Sequence, residues 1–379
     1  DHQHLGRLVF SQIDRFVGRT MNWFYDHMRF VPRHRPVVMC GRLENRKEFP
    51  ELEAILLDPG RIGLRAWNKF VPGQLYPPDA WRLRQQRAVV LHSHFGYVAL
   101  DDMRYAKTLD MPWLVSFYGA DVYMLGRDSK YVCACQPVFE RAARVLSMGP
   151  AMSTALEAMG CPADKLAIHT LGVDAVGLAH QPRVRLPTEP LRLLFAATFR
   201  EKKGARYLIE AADILRRRGV PLSLTLVGDS AGLPGDEESK AELFALIGRL
   251  GLDTLTTHHS WVPFEELVKL GLAAHVFVVP SITATSGDSE GSPFVMAQMM
   301  ATGMPTVATR HSDIPYTFGP YANRLVPERD PLAIADRLQR YYDQPDTMTR
   351  EGLEYRAHIL ATFDTRICAG ALSSVYDSL

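Results

Sequence analysis

The chain of 379 residues is 22% charged and 47% hydrophobic, and its 43 Lys and Arg against 42 Asp and Glu leave a net charge of +1. This length is too great for one compact core and predicts about two domains. The composition is that of a globular protein and excludes a disordered or coiled-coil chain. A net charge so close to zero argues against a nucleic-acid-binding protein.

Charge is distributed unevenly along the chain. Residues 1–90 contain fifteen Lys and Arg but only nine Asp and Glu. Such a surface fits an anionic membrane or a phosphorylated substrate, although a basic excess is more often a solvated face. The five cysteines are odd in number and suggest no disulfide framework, and no apolar run is as long as a membrane span. We therefore expect a cytoplasmic protein, with peripheral contact to the inner face of the membrane as an alternative that the basic excess leaves open, in an oligomeric state that the sequence does not specify.

Strands and helices alternate in a first array over the N-terminal part of the chain. The predicted strands are 8–10, 36–40, 88–92, 113–117, 145–147 and 166–168, and the predicted helices are 21–30, 97–108, 136–143 and 151–159. Residues 11–19 are predicted as a loop. Residues 42–87 show no clear pattern and receive no assignment.

A Pro-rich linker at 174–190 precedes a second array. Its predicted strands are 193–197, 222–227, 255–261, 276–279 and 306–308, and its predicted helices are 205–218, 238–250, 264–273, 294–302, 331–343, 346–361 and 364–378. Two such arrays predict an α/β protein of two doubly wound, Rossmann-like domains with parallel sheets. Ligands bind such sheets at the carboxyl ends of the strands, which is where the sequence places His94, Asp121, Arg200, Asp229 and Glu290.

The stretch 280–305 reads as a loop and a helix between two strands. Ser292 is predicted to be the N-cap, with Pro293 at the first helical position. Phe294 and Gln298 are four residues apart and share a face, and Glu290 lies just ahead of them. A helix N-terminus binds anions, so the segment suits a ligand with both phosphate and hydroxyl groups. The alternative is a buried crossover helix with an ordinary capping loop.

The turn 198–204, Thr-Phe-Arg-Glu-Lys-Lys-Gly, follows the first strand of the second array. Its cations and glycine at a helix start suit a pyrophosphate, although a solvated basic turn is a common alternative.

No metal site is predicted. His92 and His94 lie on one face of a strand end but lack a third ligand, and Cys133 and Cys135 lack a second pair. The pair formed by Asp288 and Glu290 is similar to the acidic pair of metal-dependent sugar transferases, but it lies in the second of two similar halves.

Taken together, these motifs resemble the retaining glycosyltransferases of family 4, which have the GT-B fold. The resemblance rests on the order of Glu201-Lys-Lys-Gly204, Val227-Gly-Asp229, Pro280-Ser281, Glu290-Gly291, and Gly303-Met-Pro305. The loop Ser286-Gly-Asp-Ser-Glu-Gly291 and the segment Phe117-Tyr-Gly-Ala-Asp121 are most similar to the branch that builds exopolysaccharides and related glycoconjugates.

This resemblance implies two domains facing across a cleft. Residues 1–175 would bind the acceptor, with a C-terminal helix at 362–379 packed back on them, and residues 188–361 would bind the donor. The implied catalytic residues are Glu290, Asp121 and His94. The implied donor-binding residues are Arg200, Lys203, Gly228, Asp229, Gly291, Ser292, Phe294, Val295 and Gln298, and the implied acceptor-binding residues are Gly18, Arg19 and Tyr118.

The chemistry implied is transfer of a sugar from a nucleotide-diphosphate donor, first of all a UDP- or GDP-sugar, to a hydroxyl acceptor on a sugar, glycolipid or other glycoconjugate. Arg200 and Lys203 would neutralise the leaving group without a metal or cofactor. Four positions depart from the family pattern. Gln298 replaces a ribose-binding glutamate, Thr198 an arginine, Tyr118 a histidine and Tyr316 a glutamate. We expect weaker or altered donor binding from Gln298.

Two other classes of function remain open. One is a sugar-nucleotide epimerase or a phosphorylase on the same fold. The other is a sugar-nucleotide-binding protein without catalysis, which the departures at Gln298 and Tyr118 favour.

Overall fold

The structure is a computed structural model of the chain, and it describes residues 6–16, 22–44, 52–57 and 62–379. The chain divides into two units. The first comprises Asp1–Val173 and Thr365–Leu379, and the second comprises Asp174–Asp364. None of the helices in the described ranges is both long and apolar enough to cross a membrane.

The first unit is built on a parallel sheet whose strand order, over the described residues, is β3-β2-β1-β4-β5-β6-β7. The strands are β1 Arg7–Phe16, β2 His34–Leu43, β3 Glu53–Leu56, β4 Val90–His94, β5 Trp113–Ser116, β6 Arg144–Ser147 and β7 Leu166–Ile168. The helices are α1 Asn22–Arg29, α2 Ile62–Phe70, α3 Pro77–Gln85, α4 Gly96–Leu109, α5 Ser129–Arg141 and α6 Pro150–Ala158, with α14 Thr365–Asp377 from the C-terminal end.

The second unit carries a smaller parallel sheet of order β10-β9-β8-β11-β12. Its strands are β8 Leu191–Ala196, β9 Leu222–Val227, β10 Thr256–His259, β11 Val276–Val279 and β12 Thr306–Ala308. Its helices are α7 Ala205–Arg217, α8 Asp236–Arg249, α9 Phe264–Ala273, α10 Phe294–Ala301, α11 Ile314–Phe318, α12 Pro331–Asp343 and α13 Pro345–Thr362. The predicted class of two doubly wound parallel sheets is therefore confirmed.

The main errors of the sequence prediction lie near the N-terminus. β1 extends to Phe16, so the predicted loop at 11–19 is wrong as far as residue 16. Ser11 and Gln12 sit in this strand as buried polar residues, and Ser11 bonds to the Met28 sulfur at 3.5 Å. Such polar positions interrupt the apolar pattern that identifies a strand. β3, α2 and α3 occupy the stretch 42–87 that received no assignment.

Helix α14 completes the core of the first unit. Ala369, Leu372 and Tyr376 pack into the same apolar cluster as Val9 and Phe24. Polar contacts fix the helix as well, because the Tyr376 hydroxyl lies 2.7 Å from His92 Nδ1.

A cluster of four buried histidines, His27, His92, His94 and His169, lies in the interior of the first unit. The His92 and His94 rings are 3.9 Å apart, and the Nε2 atoms of His27 and His169 are 2.9 Å apart. Burial lowers the pKa of His27, His92 and His94 well below the usual value. It lowers the pKa of His169 to about 4. All four are therefore neutral in the folded protein at pH 7.

We predict that this cluster makes the first unit sensitive to mild acid. Below about pH 6.5 the histidines of the unfolded chain bind protons that the folded chain does not. Stability must therefore fall with pH between about 6.5 and 4, by about 1.4 kcal/mol per pH unit for each histidine that stays neutral. Urea unfolding followed by tryptophan fluorescence at pH 7.5, 6 and 5 measures this slope, because four of the five tryptophans lie in the first unit.

The variant His169→Asn should reduce this slope by about 1.4 kcal/mol per pH unit, which is the contribution of one histidine. An unfolding midpoint that stays constant from pH 7.5 to pH 5 would contradict the prediction.

Candidate functional site

The cationic turn 200–204 lies directly against the end of β11. Glu201–Lys203 form one 3-10 turn, and Gly204 then adopts a left-handed φ of 65° at the start of α7. A Cβ at Gly204 would lie 1.8 Å from the Pro280 carbonyl oxygen, so only glycine permits this approach. The backbone of the turn is tied to the same loop, since the Ile282 N–H donates to the Lys202 carbonyl at 2.9 Å.

A continuous chain of ion pairs joins the turn to the loop 288–290. The Arg200 guanidinium lies 3.2 Å from an Asp236 oxygen and 3.0 Å from an Asp288 oxygen. Lys202 Nζ lies 3.1 Å from Asp288 and 3.4 Å from Glu290. Lys203 Nζ completes the chain 2.7 Å from Glu290 Oε2. Three cations thus face three carboxylates, and the formal charge of the network is zero.

Glu290 is ionised in this network. Burial alone would raise its pKa, but Lys203 and Lys202 outweigh that effect and lower the pKa to about 2. The carboxylate is only 7% exposed, so its interactions with both lysines are weakly screened. At neutral pH it can accept hydrogen bonds but has no proton to donate.

His311 and Glu328 hold the backbone of the Glu290 loop, and sequence reasoning missed both. His311 Nδ1 lies 2.5 Å from Glu328 Oε1. Its Nε2 accepts the Glu290 N–H at 3.1 Å and lies 3.0 Å from Ser289 Oγ. Because Nε2 accepts the Glu290 N–H, Nδ1 carries a proton and donates it to Glu328. Glu328 also accepts the Thr283 N–H at 3.0 Å. One carboxylate therefore holds both ends of the loop 283–290 in place.

Helix α10 begins at Phe294, as the predicted range 294–302 does, but Pro293 precedes the helix instead of occupying its first position. Its N-cap residue is Pro293, and the predicted cap at Ser292 is wrong. The Ser292 hydroxyl instead lies 2.5 Å from Thr317 Oγ1 of α11, and a contact across 25 residues has no local sequence signal. Phe294 and Val295, at the helix start, are half-buried.

Gly291 and Gln298 are both buried, with Gln298 8% exposed. The helix is apolar on nearly all sides apart from Gln298, as the sequence indicated.

The end of β9 supplies two further predicted residues. A Cβ at Gly228 would lie 1.9 Å from the Ala197 carbonyl oxygen, and its φ is 143°, so this glycine is required for close packing of two strand ends. Asp229 lies 2.5 Å from Lys240 Nζ and accepts the Ser230 N–H at 2.8 Å. The Lys240 hydrogen bond, followed by the Ser230 N–H, lowers the Asp229 pKa.

In the first unit, Asp121 accepts hydrogen bonds from backbone N–H groups. Its carboxylate is fully buried and accepts the N–H groups of Gly96, Tyr118 and Gly119 at 2.9, 3.0 and 2.9 Å. Burial raises its pKa against the effect of these hydrogen bonds. Asp121 therefore clamps the loop after β4 to the loop after β5, an arrangement that leaves the carboxylate no open face.

His94 and Tyr118 form a pair beside this clamp. The Tyr118 hydroxyl lies 2.6 Å from His94 Nδ1, and the two rings are nearly parallel. His94 is fully buried, and burial raises the Tyr118 pKa. The predicted acceptor-binding residues Gly18 and Arg19 lie outside the described residues.

Some of the site residues that the sequence prediction missed have a local sequence signal, and others have none. Lys202 stands in the same turn as Lys203, and a tight 3-10 turn brings both amines to one carboxylate. Asp236, at the start of α8, and Glu328, between two elements, are acidic residues in a pattern that solvated loops share. Asp288 was noted in the sequence only as half of an acidic pair, without its cationic partners. Among the described residues, no group of three His, Cys, Asp or Glu side chains is placed to hold a metal ion.

Sequence comparison finds relatives for this chain. The profile described as "Glycosyl transferases group 1" matches residues 179–358, the part that contains the ion-pair network. AmsK of Erwinia amylovora, an amylovoran biosynthesis glycosyltransferase, is 30% identical over 323 residues, which are 84% of this chain and 76% of AmsK.

WcaL of Escherichia coli K12, whose name assigns it provisionally to colanic acid biosynthesis as a glycosyltransferase, is 32% identical over 264 residues, 69% of this chain. The match spans only 63% of WcaL and 61% of its Salmonella typhimurium counterpart.

Solved structures share the fold at low identity. HepE of Anabaena in complex with UDP superposes with a TM-score of 0.78 at 16% identity, over 98% of this chain and 100% of HepE. The galactosyltransferase WaaB in its apo form gives 0.65 at 12% identity, over 98% of this chain and 100% of WaaB. These likenesses confirm the predicted GT-B fold class. With the profile and AmsK, they confirm the resemblance on which the sequence prediction rested, and the chain belongs to the group 1 family of glycosyl transferases.

Proposed function

We propose that the protein transfers a sugar from a nucleotide-diphosphate donor to a hydroxyl acceptor, with retention of the anomeric configuration. The observation that carries the proposal is the buried pairing of Lys202 and Lys203 with Glu290 at the carboxyl ends of β8 and β11. Two fixed ammonium groups beside an ionised carboxylate suit a ligand with a diphosphate at one end and hydroxyls at the other.

The two lysines act on the leaving group in this proposal. As the bond between the anomeric carbon and the diphosphate oxygen breaks, negative charge grows on that oxygen, and Lys203 with Lys202 stabilises it. The acceptor oxygen bonds to the anomeric carbon on the same face, and its proton passes to the departing diphosphate. Glu290, which carries no proton, accepts hydrogen bonds from hydroxyls of the donor sugar. No metal or cofactor enters the proposed reaction.

Arg200 receives a different role from the one expected. It lies between Asp236 and Asp288, so we propose that it holds the loop 285–290 in place while the lysines bind the diphosphate. The N–H groups at Phe294 and Val295 add donors at the start of α10, and Gln298 binds the ribose. Asp229 and Gly228 shape the neighbouring strand end.

The first unit is proposed to bind the acceptor. Tyr118 and His94 offer polar groups there, and Asp121 positions the two loops that carry them. The names of AmsK and WcaL favour an acceptor in exopolysaccharide synthesis. HepE is described in complex with UDP and with UDP-glucose, so a UDP-sugar is the first donor to test.

We predict that Lys203→Ala and Glu290→Ala each reduce transfer by about a hundredfold or more. Lys203→Ala removes stabilisation of the negative charge on the leaving oxygen, and Glu290→Ala removes the group that holds the donor sugar and positions both lysines. The measurement starts with a thermal-shift screen of UDP-, GDP-, ADP- and TDP-sugars. A ligand at 100 times its Kd should stabilise the protein by about 2.7 kcal/mol. Product from the best donor is then followed with and without saccharide acceptors, and NMR of the new linkage reports its anomeric configuration.

Lys269→Ala is the matched control, because Lys269 is an exposed lysine of the same unit, paired only loosely with Glu266. Gln298→Glu should change donor affinity or donor choice if Gln298 faces the ribose. Near-normal transfer in both alanine variants would refute the assigned roles. Conversion of the sugar nucleotide without acceptor would indicate an epimerase, and binding with neither transfer nor hydrolysis would indicate a non-catalytic protein.

We also propose that the first unit contacts an anionic membrane surface through α2 and α3. These helices expose Ile62, Phe70 and Trp81, which are 85%, 77% and 67% exposed. Arg65 and Lys69 are exposed on α2 beside them. Apolar side chains that enter the interface, next to cations that meet lipid phosphates, are typical of peripheral membrane proteins.

We predict co-sedimentation with phosphatidylglycerol vesicles that is weaker for neutral phosphatidylcholine vesicles and falls as salt is raised. The triple variant Ile62→Ser, Phe70→Ser and Trp81→Ser should lose most of this binding. Leu332→Ser with Leu353→Ser provides the control, since these are exposed leucines of the second unit. Equal sedimentation of the triple variant and the control would disprove the contact.

A further inference from the structure

Four aromatic side chains gather at the carboxyl end of the first unit's sheet. Trp23 lies at the start of α1, Phe95 and Tyr97 lie where β4 passes into α4, and Tyr118 follows β5. We refer to Trp23, Phe95, Tyr97 and Tyr118 as the aromatic shelf. They come from three different elements, so a sequence pattern could not have grouped them.

The rings of the aromatic shelf are packed together and yet remain accessible. Phe95 is central, with its ring centroid 4.8 Å from Tyr118, 5.2 Å from Tyr97 and 6.2 Å from Trp23. Trp23 and Tyr118 are 4.9 Å apart. Tyr97 is 37% exposed, and the other three are half-buried. Trp23 and Phe95 also pack against the core of the first unit, so the shelf is an anchored aromatic surface that remains partly accessible.

The backbone at the centre of the shelf is strained. Phe95 has a φ of 79°, a value that non-glycine residues rarely adopt. Hydrogen bonds impose it from both sides, because the Phe95 N–H donates to the Ser116 carbonyl at 2.9 Å and the Gly96 N–H donates to Asp121 at 2.9 Å. Strain held in this way is concentrated at ligand-binding positions.

A buried polar group without a partner adjoins the shelf. The Tyr118 hydroxyl is bonded to His94 Nδ1 at 2.6 Å. The other ring nitrogen, His94 Nε2, is buried and has no hydrogen-bond partner among the described residues. Buried polar atoms normally have partners, and this unfilled bonding capacity lies on the ring that Tyr118 contacts.

We propose that the aromatic shelf binds a pyranose ring of the acceptor, which makes the acceptor a saccharide rather than a non-sugar alcohol. A pyranose carries C–H groups on its faces and hydroxyls around its rim. One face packs on the rings of the shelf, while rim hydroxyls meet Tyr97, Tyr118 and the polar groups behind them. This inference rests on the proposed function, because it assigns the second substrate of that reaction.

The test is saturation-transfer NMR on the full chain with methyl β-D-glucopyranoside and methyl β-D-galactopyranoside as probes and with sorbitol as a polyol that has no ring face. In the glucoside, H1, H3 and H5 project from one face and H2 and H4 from the other. We expect one set to be saturated more strongly than the other. Tyr97→Ala should bind the glycosides about five- to tenfold more weakly, and Tyr97→Phe, which keeps the ring but loses the hydroxyl contact, should bind them with an affinity between those of Tyr97→Ala and the wild type.

Ile367→Ala is the control, since Ile367 is an exposed apolar residue of α14 in the same unit. UDP binding, measured in parallel by thermal shift, should be equal in all variants. Equal saturation of both faces, saturation of sorbitol as strong as that of the glycosides, or unchanged affinity in Tyr97→Ala would overturn the shelf proposal. The shelf proposal would also be overturned if the wild-type protein bound UDP but neither glycoside. Wild-type protein that binds no sugar nucleotide contradicts the proposed function instead, whatever the glycosides do.

Discussion

The second unit's site depends on how closely the turn 201–204 approaches the end of β11. With a hydrogen in place of a side chain at Gly204, the turn lies directly against the Pro280 carbonyl. At that separation Lys202 and Lys203 both reach Glu290 across the gap between two loops. Any side chain at position 204 would push the turn away, and the ammonium groups would lose their common partner.

The network from Asp236 to Lys203 concentrates charge in a place with little water. Removing charged groups from water is costly, and a buried ion pair often adds no net stability. The arrangement is tolerable because every cation touches a carboxylate and the formal charges cancel. The network instead fixes the ionisation state and the position of Glu290. Glu290 stays ionised with a pKa of about 2, and His311 with Glu328 fixes its backbone.

Sequence reasoning succeeded where local patterns are sufficient. The bounds of β9, α9, β11 and β12 were predicted to the residue, because apolar runs there end at glycine, proline or polar residues. It failed where a partner lies far along the chain. The buried polar residues of β1 hid its length, and the Ser292 hydroxyl turned to Thr317 rather than to the helix it precedes. The Lys turn and Glu290 were identified, whereas His311 and Glu328 became recognisable only through their contacts.

The return of α14 to the first unit has a consequence for how the protein is made. Residues 174–364 form an insertion within the first unit, so a ribosome completes the second unit before it releases the helix that finishes the first. Until then His92 lacks the Tyr376 hydroxyl, and His34 lacks the Ser373 hydroxyl 2.8 Å from its Nδ1. The second unit can be expressed alone as one uninterrupted segment. The first unit needs its final helix supplied in trans or joined by a short linker.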